Sequence, residues 1–330
     1  MPFVTRGSDA AEDVLAAVVV GNFITGHSLV EQLRESTIDS QRGLLGNHIV
    51  PAVGSVRIDQ IRTKHFGELK RAMAAKELSG KTINNGLTVL SRMTRFWYER
   101  EGLMAPRFKA GLIKLDEKEA EFYEPPEYEA LVAAAAEVGP EVHALVLLMG
   151  DAGLRQGEVC ALRWDDVRWQ PEPLIRLKRS RYKKKDQPGT KGRKIRSVPM
   201  TARLSAALQA LPRSRRQVCV LIRESGEALT AKAVKVRLEK AEAGAGIDGT
   251  GLSHKLRHTF ATRLVAQSVR LWVIKELLGH KDLTTTQRYL HMLTGAASQA
   301  IARLSLGATS QPPNHGTAHG TMMAPPPAQL

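Results

Sequence analysis

Cysteine is scarce in this chain of 330 residues: Cys160 and Cys219 are the two, each set among apolar neighbours (GEVCALRW and QVCVLI). That argues against a disulfide framework or a thiolate-held metal, and it fits a reducing, cytoplasmic setting. Long apolar runs are missing too. The best, VLAAVVVGNFI at residues 14–24, is too short to cross a bilayer, follows the acidic Asp9, Glu12 and Asp13, and lacks the basic lead of a signal peptide, so no membrane partner is expected. No set of Asp, Glu and His has metal-ligand spacing, and no Gly-x-x-x-x-Gly-Lys-Ser/Thr loop is present to cradle a nucleotide. This speaks against metal-dependent nucleases and ATPases, and neither metal nor cofactor is expected. Acidic side chains are the last shortage. Against 48 Lys and Arg stand 33 Asp and Glu, a formal charge of +15 that points to a polyanionic partner.

The basic excess is uneven: residues 1–120 carry 17 basic and 14 acidic side chains, residues 121–330 carry 31 and 19, so the polyanion belongs with the second part. The length allows about two domains with at least one sizeable core. After an unplaced segment at 1–25, three helices are expected within 26–112. Thr37 can cap one that ends near His48, before Pro51. Thr63 can cap the next, with Phe66, Leu69 and Met73 at helical spacing. Ser79-Gly80 stops it, and Thr82 to Arg100 forms the third, with Ile83, Leu87, Leu90, Phe96 and Trp97 inward. Residues 113–126 read as a linker ending in the stiff hinge Glu124-Pro125-Pro126. Residues 127–307 then alternate helices with short strands between Leu174 and Met200, and close on an amphipathic helix at 295–306. The tail at 308–330, rich in Pro and Gly, reads as disordered, and its His315 and His319 are not expected to bind metal.

Between Arg176 and Arg196 stand eleven Lys or Arg and one acid, Asp186, flanked by alternating apolar residues. An ordered hairpin is expected there, whose basic face (Arg179, Arg181, Lys183, Lys184, Lys185, Arg193, Arg196), together with Lys81 and Arg92 of the helical unit, tracks a phosphate backbone. The most informative stretch runs from Gly251 to Met292: GLSHKLRHTF, then KELLGHKDL, then TTTQRYLHM. His254 and Arg257 are three apart and share a helix face, so they can reach one phosphate together. His280 follows a Leu-Gly turn, and Tyr289 offers a phenol that can attack phosphorus.

The order His-x-x-Arg, Leu-Gly-His, Tyr resembles the C-terminal signature of the tyrosine recombinase, or phage integrase, family. DAGLRQGEV matches the segment that carries the family's first arginine, Arg155, with Glu158 at its acidic position; T-K-G-R-K-x-R-x-V-P is similar to its hairpin lysine motif and selects Lys191. Residues 26–112 resemble its SAM-like core-binding domain, down to Ile49, Pro51 and Gly54 and the K-T-I-N-N entry. The resemblance implies a mostly α fold with a small β-sheet, arranged as a two-domain C-shaped clamp with an all-α N-terminal domain and an α+β catalytic domain. It implies a bacterial or phage-derived, nucleoid-associated enzyme that recombines double-stranded DNA at specific sites through a 3′-phosphotyrosine, without ATP or metal. Arg155 and Arg257 would hold the phosphate, Tyr289 would attack, and His254 would take its proton. His280 would donate to phosphate, Lys191 would protonate the leaving oxygen, and Glu158 and His258 would support. Self-association as a tetramer on paired sites, through the helix at 295–306, is expected. A type IB-like topoisomerase, sharing the site but acting as a monomer, and a non-catalytic DNA-binding protein are the alternatives; the full residue set speaks against the second.

Overall fold

A computed structural model describes residues 20–27, 33–116, 120–188, 195–213, 217–251, 253–287 and 289. Its internal contacts divide the chain into one unit of Met1–Glu119 with Arg181–Gln187, and another of Ala120–Ser180 with Pro188–Leu330. The fold is mostly helical with small antiparallel sheets. Among the described residues no helix is long and apolar enough to cross a membrane.

In the first unit, α1 (Glu35–Leu44) runs on through a π-helical turn, Leu45–Ile49, into Val50–Val53. Thr37 therefore lies inside the helix instead of capping it, and Pro51 does not stop it. Proline lacks an N–H to donate, and here it sits in the first turn after the widened π segment, where that donor is not required. α2 (Thr63–Ala74) starts on Arg62, whose backbone N–H donates to His65 Nδ1 at 3.0 Å; Thr63 is the first residue inside. α3 (Gly80–Arg100) starts on Ser79, whose hydroxyl accepts from the Thr82 N–H at 3.3 Å, so the residue expected to stop one helix begins another. Phe66, Leu69 and Met73 of α2 meet Ile83, Leu87, Leu90 and Met93 of α3 in one apolar core, which Phe23, Leu45 and Ile49 complete. Gly86 permits the approach, because a Cβ there would collide with the Met73 sulfur. Phe108, Ala110 and Ile113 pack on this core, and the Asn84 side chain exchanges two 2.8 Å hydrogen bonds with the Ile113 backbone.

The second unit begins before its first helix. Pro125 and Pro126, read from sequence as a hinge, instead open α4 (Pro125–Val138), where the first turn needs no N–H donors and Glu124 caps it with Glu127. α5 (Pro140–Gly150) follows; Leu145, Val146, Leu147 and Leu148 are all fully buried, which marks a helix enclosed on every side. Around it pack α4, α7 (Ala202–Gln209), α8 (Ala231–Gly244) and α9 (Ser253–Ala266), and the short α6 (Gln156–Ala161) touches both α5 and α8. The sheet has the order β1 (Val167–Arg168), β2 (Leu174–Leu177), β5 (Arg196–Pro199), all antiparallel, with Ile175 opposite Val198 and Leu177 opposite Arg196. The expected basic hairpin is β3 (Arg179–Tyr182) paired with β4 (Lys185–Pro188). α10 (Leu271–Leu278) and α11 (Thr284–Gln287) close the described chain. The helix expected at 295–306 and the tail at 308–330 lie outside the described residues.

Candidate active site

The end of one short helix gathers the site. α10 stops on Gly279, which takes the left-handed conformation at φ 63°; the Gly279 N–H donates to the Glu276 carbonyl and the His280 N–H to the Lys275 carbonyl, each at 3.0 Å. This is the terminator that a Leu-Gly-His sequence favours, since glycine enters that conformation without a Cβ penalty. The last carbonyls of the helix still need donors and carry the negative end of its dipole. Three arginines supply them. Arg196 Nε donates to the Leu277 carbonyl at 2.8 Å, Arg257 Nη2 to that of Leu278, and Arg155 Nη2 to that of Gly279 at 3.0 Å. They arrive from β5, from α9 and from the residue preceding α6, so one helix terminus joins segments more than a hundred residues apart.

A single buried carboxylate lies among these cations. Glu158 Oε1 accepts from Arg155 Nη1 at 3.0 Å and Arg196 Nη1 at 2.8 Å; Oε2 accepts from Arg196 Nη2 at 2.7 Å and the Arg155 backbone N–H at 2.9 Å. Burial works to raise the Glu158 carboxyl, but the bonded Arg196, with Arg155 and Arg257 behind it, outweighs burial and holds it at about 2. Arg257 is 4% exposed and also donates through Nη1 to the Gly153 carbonyl. Burial, with Arg155 and Arg196 adding to it, lowers the Arg257 pKa to about 9, so it stays charged at neutral pH. Gly153, at φ 62°, lets α9 come this close, because a Cβ there would run into the Phe260 ring. Three guanidinium groups thus face one carboxylate, and each has five N–H donors, more than the bonds above use.

His280 Nδ1 lies 2.9 Å from Thr286 Oγ1. Burial, reinforced by Arg257, Arg155, Arg196 and His258, pushes its pKa down to about 3, so at neutral pH this imidazole is uncharged. Tyr289 is 3% exposed, packed among Ala120, Phe260, Ala261, Val265, Ile274 and Leu278, and within electrostatic reach of Arg155 and Arg257. Its hydroxyl lies 2.6 Å from His258 Nδ1. His254, expected to serve the tyrosine, is exposed, and its ring centre stands 6.4 Å from that of His258.

The remaining expected residues divide by position. Arg196 is turned inward: β5 alternates, so Arg196 shares the inner face with Val198 and bonds Glu158 and the Leu277 carbonyl. Arg179 pairs with the buried Asp166 at 2.8 Å and Arg181 with Asp186 at 2.6 Å. Lys183 pairs with Asp39 at 2.5 Å and Lys185 reaches Glu35 at 3.5 Å, both inside the first unit. Lys81, Arg92 and Lys184 are exposed. Lys191 and Arg193 lie outside the described residues. Among those described, no group of three His, Cys, Asp or Glu could hold a metal ion.

Two supports were not anticipated. Buried Glu242 accepts from the Tyr123 hydroxyl and, at 2.8 Å, from the Gly251 N–H that precedes α9. Tyr123 is held again by its backbone N–H, which donates to Thr259 Oγ1 at 2.8 Å, and Lys255 Nζ sits 4.1 Å over its ring. The chain entering the second unit is therefore fastened to the helix that carries Arg257 and His258. Elsewhere Asp151 accepts from Arg203, Arg263, the Tyr128 hydroxyl and Thr201, tying the end of α5 to α4, α7 and α9. Neither pairing follows from sequence spacing, because the partners of these carboxylates are 9 to 119 residues away.

Residues 121–295 match the model of the phage integrase family. A tyrosine recombinase XerC of Xylella fastidiosa is 30% identical over 272 residues, covering 78% of this chain and 86% of the relative. One from Xanthomonas campestris is 29% identical over 300 residues, 88% of each. Among solved structures, the Tn1549 transposon integrase in complex with transposon right end DNA superposes with a TM-score of 0.70 at 19% identity, covering 88% of this chain and 99% of that one. A lambda integrase dimer bound to a COC′ core site gives 0.62 at 15% identity, covering 81% and 95%. These last two share the fold. The chain belongs to the phage integrase family. It is a site-specific DNA recombinase of the tyrosine class, an enzyme that cleaves and rejoins DNA.

Proposed function

We propose that the scissile phosphate of one DNA strand sits on the cationic surplus around Glu158, with Arg155 and Arg257 donating to its non-bridging oxygens. The observation that carries this is the count of charges: three buried or half-buried guanidinium groups against one carboxylate leave positive charge in a low-dielectric site, where it gains most from an anion. Attack by Tyr289 moves negative charge onto those oxygens, which fixed donors stabilise without reorganising. His280, being neutral, offers a hydrogen bond without adding charge. The leaving 5′-oxygen takes its proton from Lys191, and the strand remains on Tyr289 through its 3′-phosphate. The bond energy is kept in that link, so rejoining needs neither ATP nor metal. Two sites are held by a tetramer that uses the helix at 295–306, and the place of action is cytoplasmic genomic DNA.

The chain's DNA site is first recovered by selection from random-sequence duplexes. Replacing the 5′-bridging oxygen at the cleavage point with sulfur then gives a leaving group that needs no acid. It should restore cleavage by Lys191→Ala far more than by Arg155→Ala; equal rescue refutes the role of Lys191. A chain ending at Gly295 should bind one site almost normally yet fail to recombine paired sites. A folded truncation that recombines at full rate refutes the docking role.

A further inference from the structure

The nucleophile's hydroxyl does not rest against the histidine that the His-x-x-Arg spacing suggests. It lies 2.6 Å from His258 Nδ1, with the two rings 5.7 Å apart at 52°. A phenol that keeps its proton donates, so in the resting state Nδ1 of His258 is the lone-pair nitrogen and its own proton sits on Nε2. On a helix, positions 254 and 258 share one face, and their ring centres stand 6.4 Å apart. Of the two, 258 lies deeper: His254 is exposed and His258 is half-buried.

We infer that His258 is the catalytic residue that accepts the proton of Tyr289 when the tyrosine attacks. This rests on Tyr289 being the nucleophile. In the step, the Tyr289 oxygen bonds to phosphorus and the bond from phosphorus to the 5′-oxygen breaks. The phenol proton passes to Nδ1, leaving an imidazolium, and the leaving oxygen is protonated from the opposite side. In rejoining, His258 returns the proton as the phenolate departs. The transfer needs no movement of either ring beyond the existing hydrogen bond, which meets the reach required of a general base. The groups around His258 are His254 on its own helix, Tyr289 beside α11, His280 after α10 and, beyond Tyr289, Arg155.

The test is single-turnover cleavage by the full chain on a nicked duplex bearing the selected site, from pH 5.5 to 9. His258→Asn keeps an acceptor near the phenol but cannot take the proton. It should cleave about 100-fold more slowly than wild type and lose the rise in rate on the acid limb, with site binding unchanged. Sulfur at the 5′-bridging position should not rescue it, because the defect lies on the attacking side. His254→Asn should lose less than about tenfold and keep the limb. If His258→Asn retains the wild-type rate and profile while His254→Asn is slow, the inference is overturned. Should His258→Asn lose DNA binding, His258→Gly with added imidazole carries the same decision: regained cleavage supports the role and none refutes it. A covalent adduct that survives Tyr289→Phe would instead remove the nucleophile on which the inference rests, an outcome distinct from those above.

Discussion

Two clusters in the second unit, each built on a buried carboxylate, use the same kinds of side chain to opposite ends. Asp151 gathers Arg203 and Arg263, and Glu129 takes the far side of Arg203, so two cations meet two anions. Every charge there has a partner within the protein. Burial works to raise the Asp151 carboxyl, and the bonds from Arg203, Arg263 and Tyr128 hold it well below its ordinary value. Glu158 gathers Arg155 and Arg196 with Arg257 beside them, three cations on one anion. The first cluster is complete without a ligand and ties helices together. The second becomes balanced when an anion arrives, and it stands where a helix end fixes its arginines beside Tyr289. A buried ion pair says little about function by itself; an unbalanced one, aimed at a nucleophile, says a good deal.

Deleting arginines on each side should separate the two clusters by the widest margin. Arg257→Ala and Arg155→Ala should slow cleavage of a nicked duplex by about 100- to 1,000-fold, the scale of losing an oxyanion donor. Arg203→Ala, in protein shown to be folded by circular dichroism, should change it less than about threefold. Comparable losses on both sides would erase the distinction drawn here.

Removing the carboxylates sharpens it. Glu158→Gln leaves Arg155, Arg196 and Arg257 without their carboxylate and should destabilise by about 3–5 kcal/mol in urea unfolding, whereas Asp151→Asn, with its arginines part-exposed and Glu129 still paired to Arg203, should cost less. Sulfate should then restore Glu158→Gln more than Asp151→Asn, at ionic strength matched with chloride, because the first variant leaves a pocket open to an anion. Equal recovery would indicate a general salt effect.

A smaller effect follows from pH. His280 is held at about 3 in the folded chain against an ordinary 6.5, so between those values the unfolded chain binds more protons. Stability should therefore fall as pH drops from 6.5 towards 3. Glu158, held at about 2 against 4.5, adds its own loss only below 4.5. Urea midpoints at pH 7, 6 and 5 should decline in wild type and decline less in His280→Asn. Parallel slopes would remove His280 as the cause. The smallest change expected is Tyr123→Phe, which deletes one bond to buried Glu242 and should cost about 1–3 kcal/mol while DNA-site binding persists.

Much of this was legible where the signal is local. The Leu-Gly-His turn and the helix-then-tyrosine order depend on neighbours in sequence, and Arg155, Arg257, His280 and Tyr289 do come into mutual reach, whereas His254 stays exposed while Arg257 is buried. The parts that were not legible depend on distance or parity. Arg196 was assigned to DNA because it closes a basic run, whereas one residue of strand alternation decides which face it takes, and that follows from pairing with β2. Pro125-Pro126 fits a hinge and a helix start equally well until the capping partners Glu124 and Glu127 are seen. The bond from His258 to Tyr289 spans 31 residues and that from Tyr123 to Glu242 spans 119, and sequence spacing predicts neither contact.

The central claim, that the unbalanced arginine cluster presents a DNA phosphate to Tyr289, is tested most directly by mapping the covalent link. A duplex of the selected site, nicked beside the cleavage point so that the short product diffuses away, is incubated with the full chain. The denaturant-stable product is then digested and the peptide bearing DNA is sequenced by mass spectrometry. A single adduct is expected, on Tyr289 and joined to a 3′-phosphate, that is absent from Tyr289→Phe and strongly reduced in Arg257→Ala. An adduct on another tyrosine, a link to the 5′ end, or undiminished trapping by Arg257→Ala would contradict it.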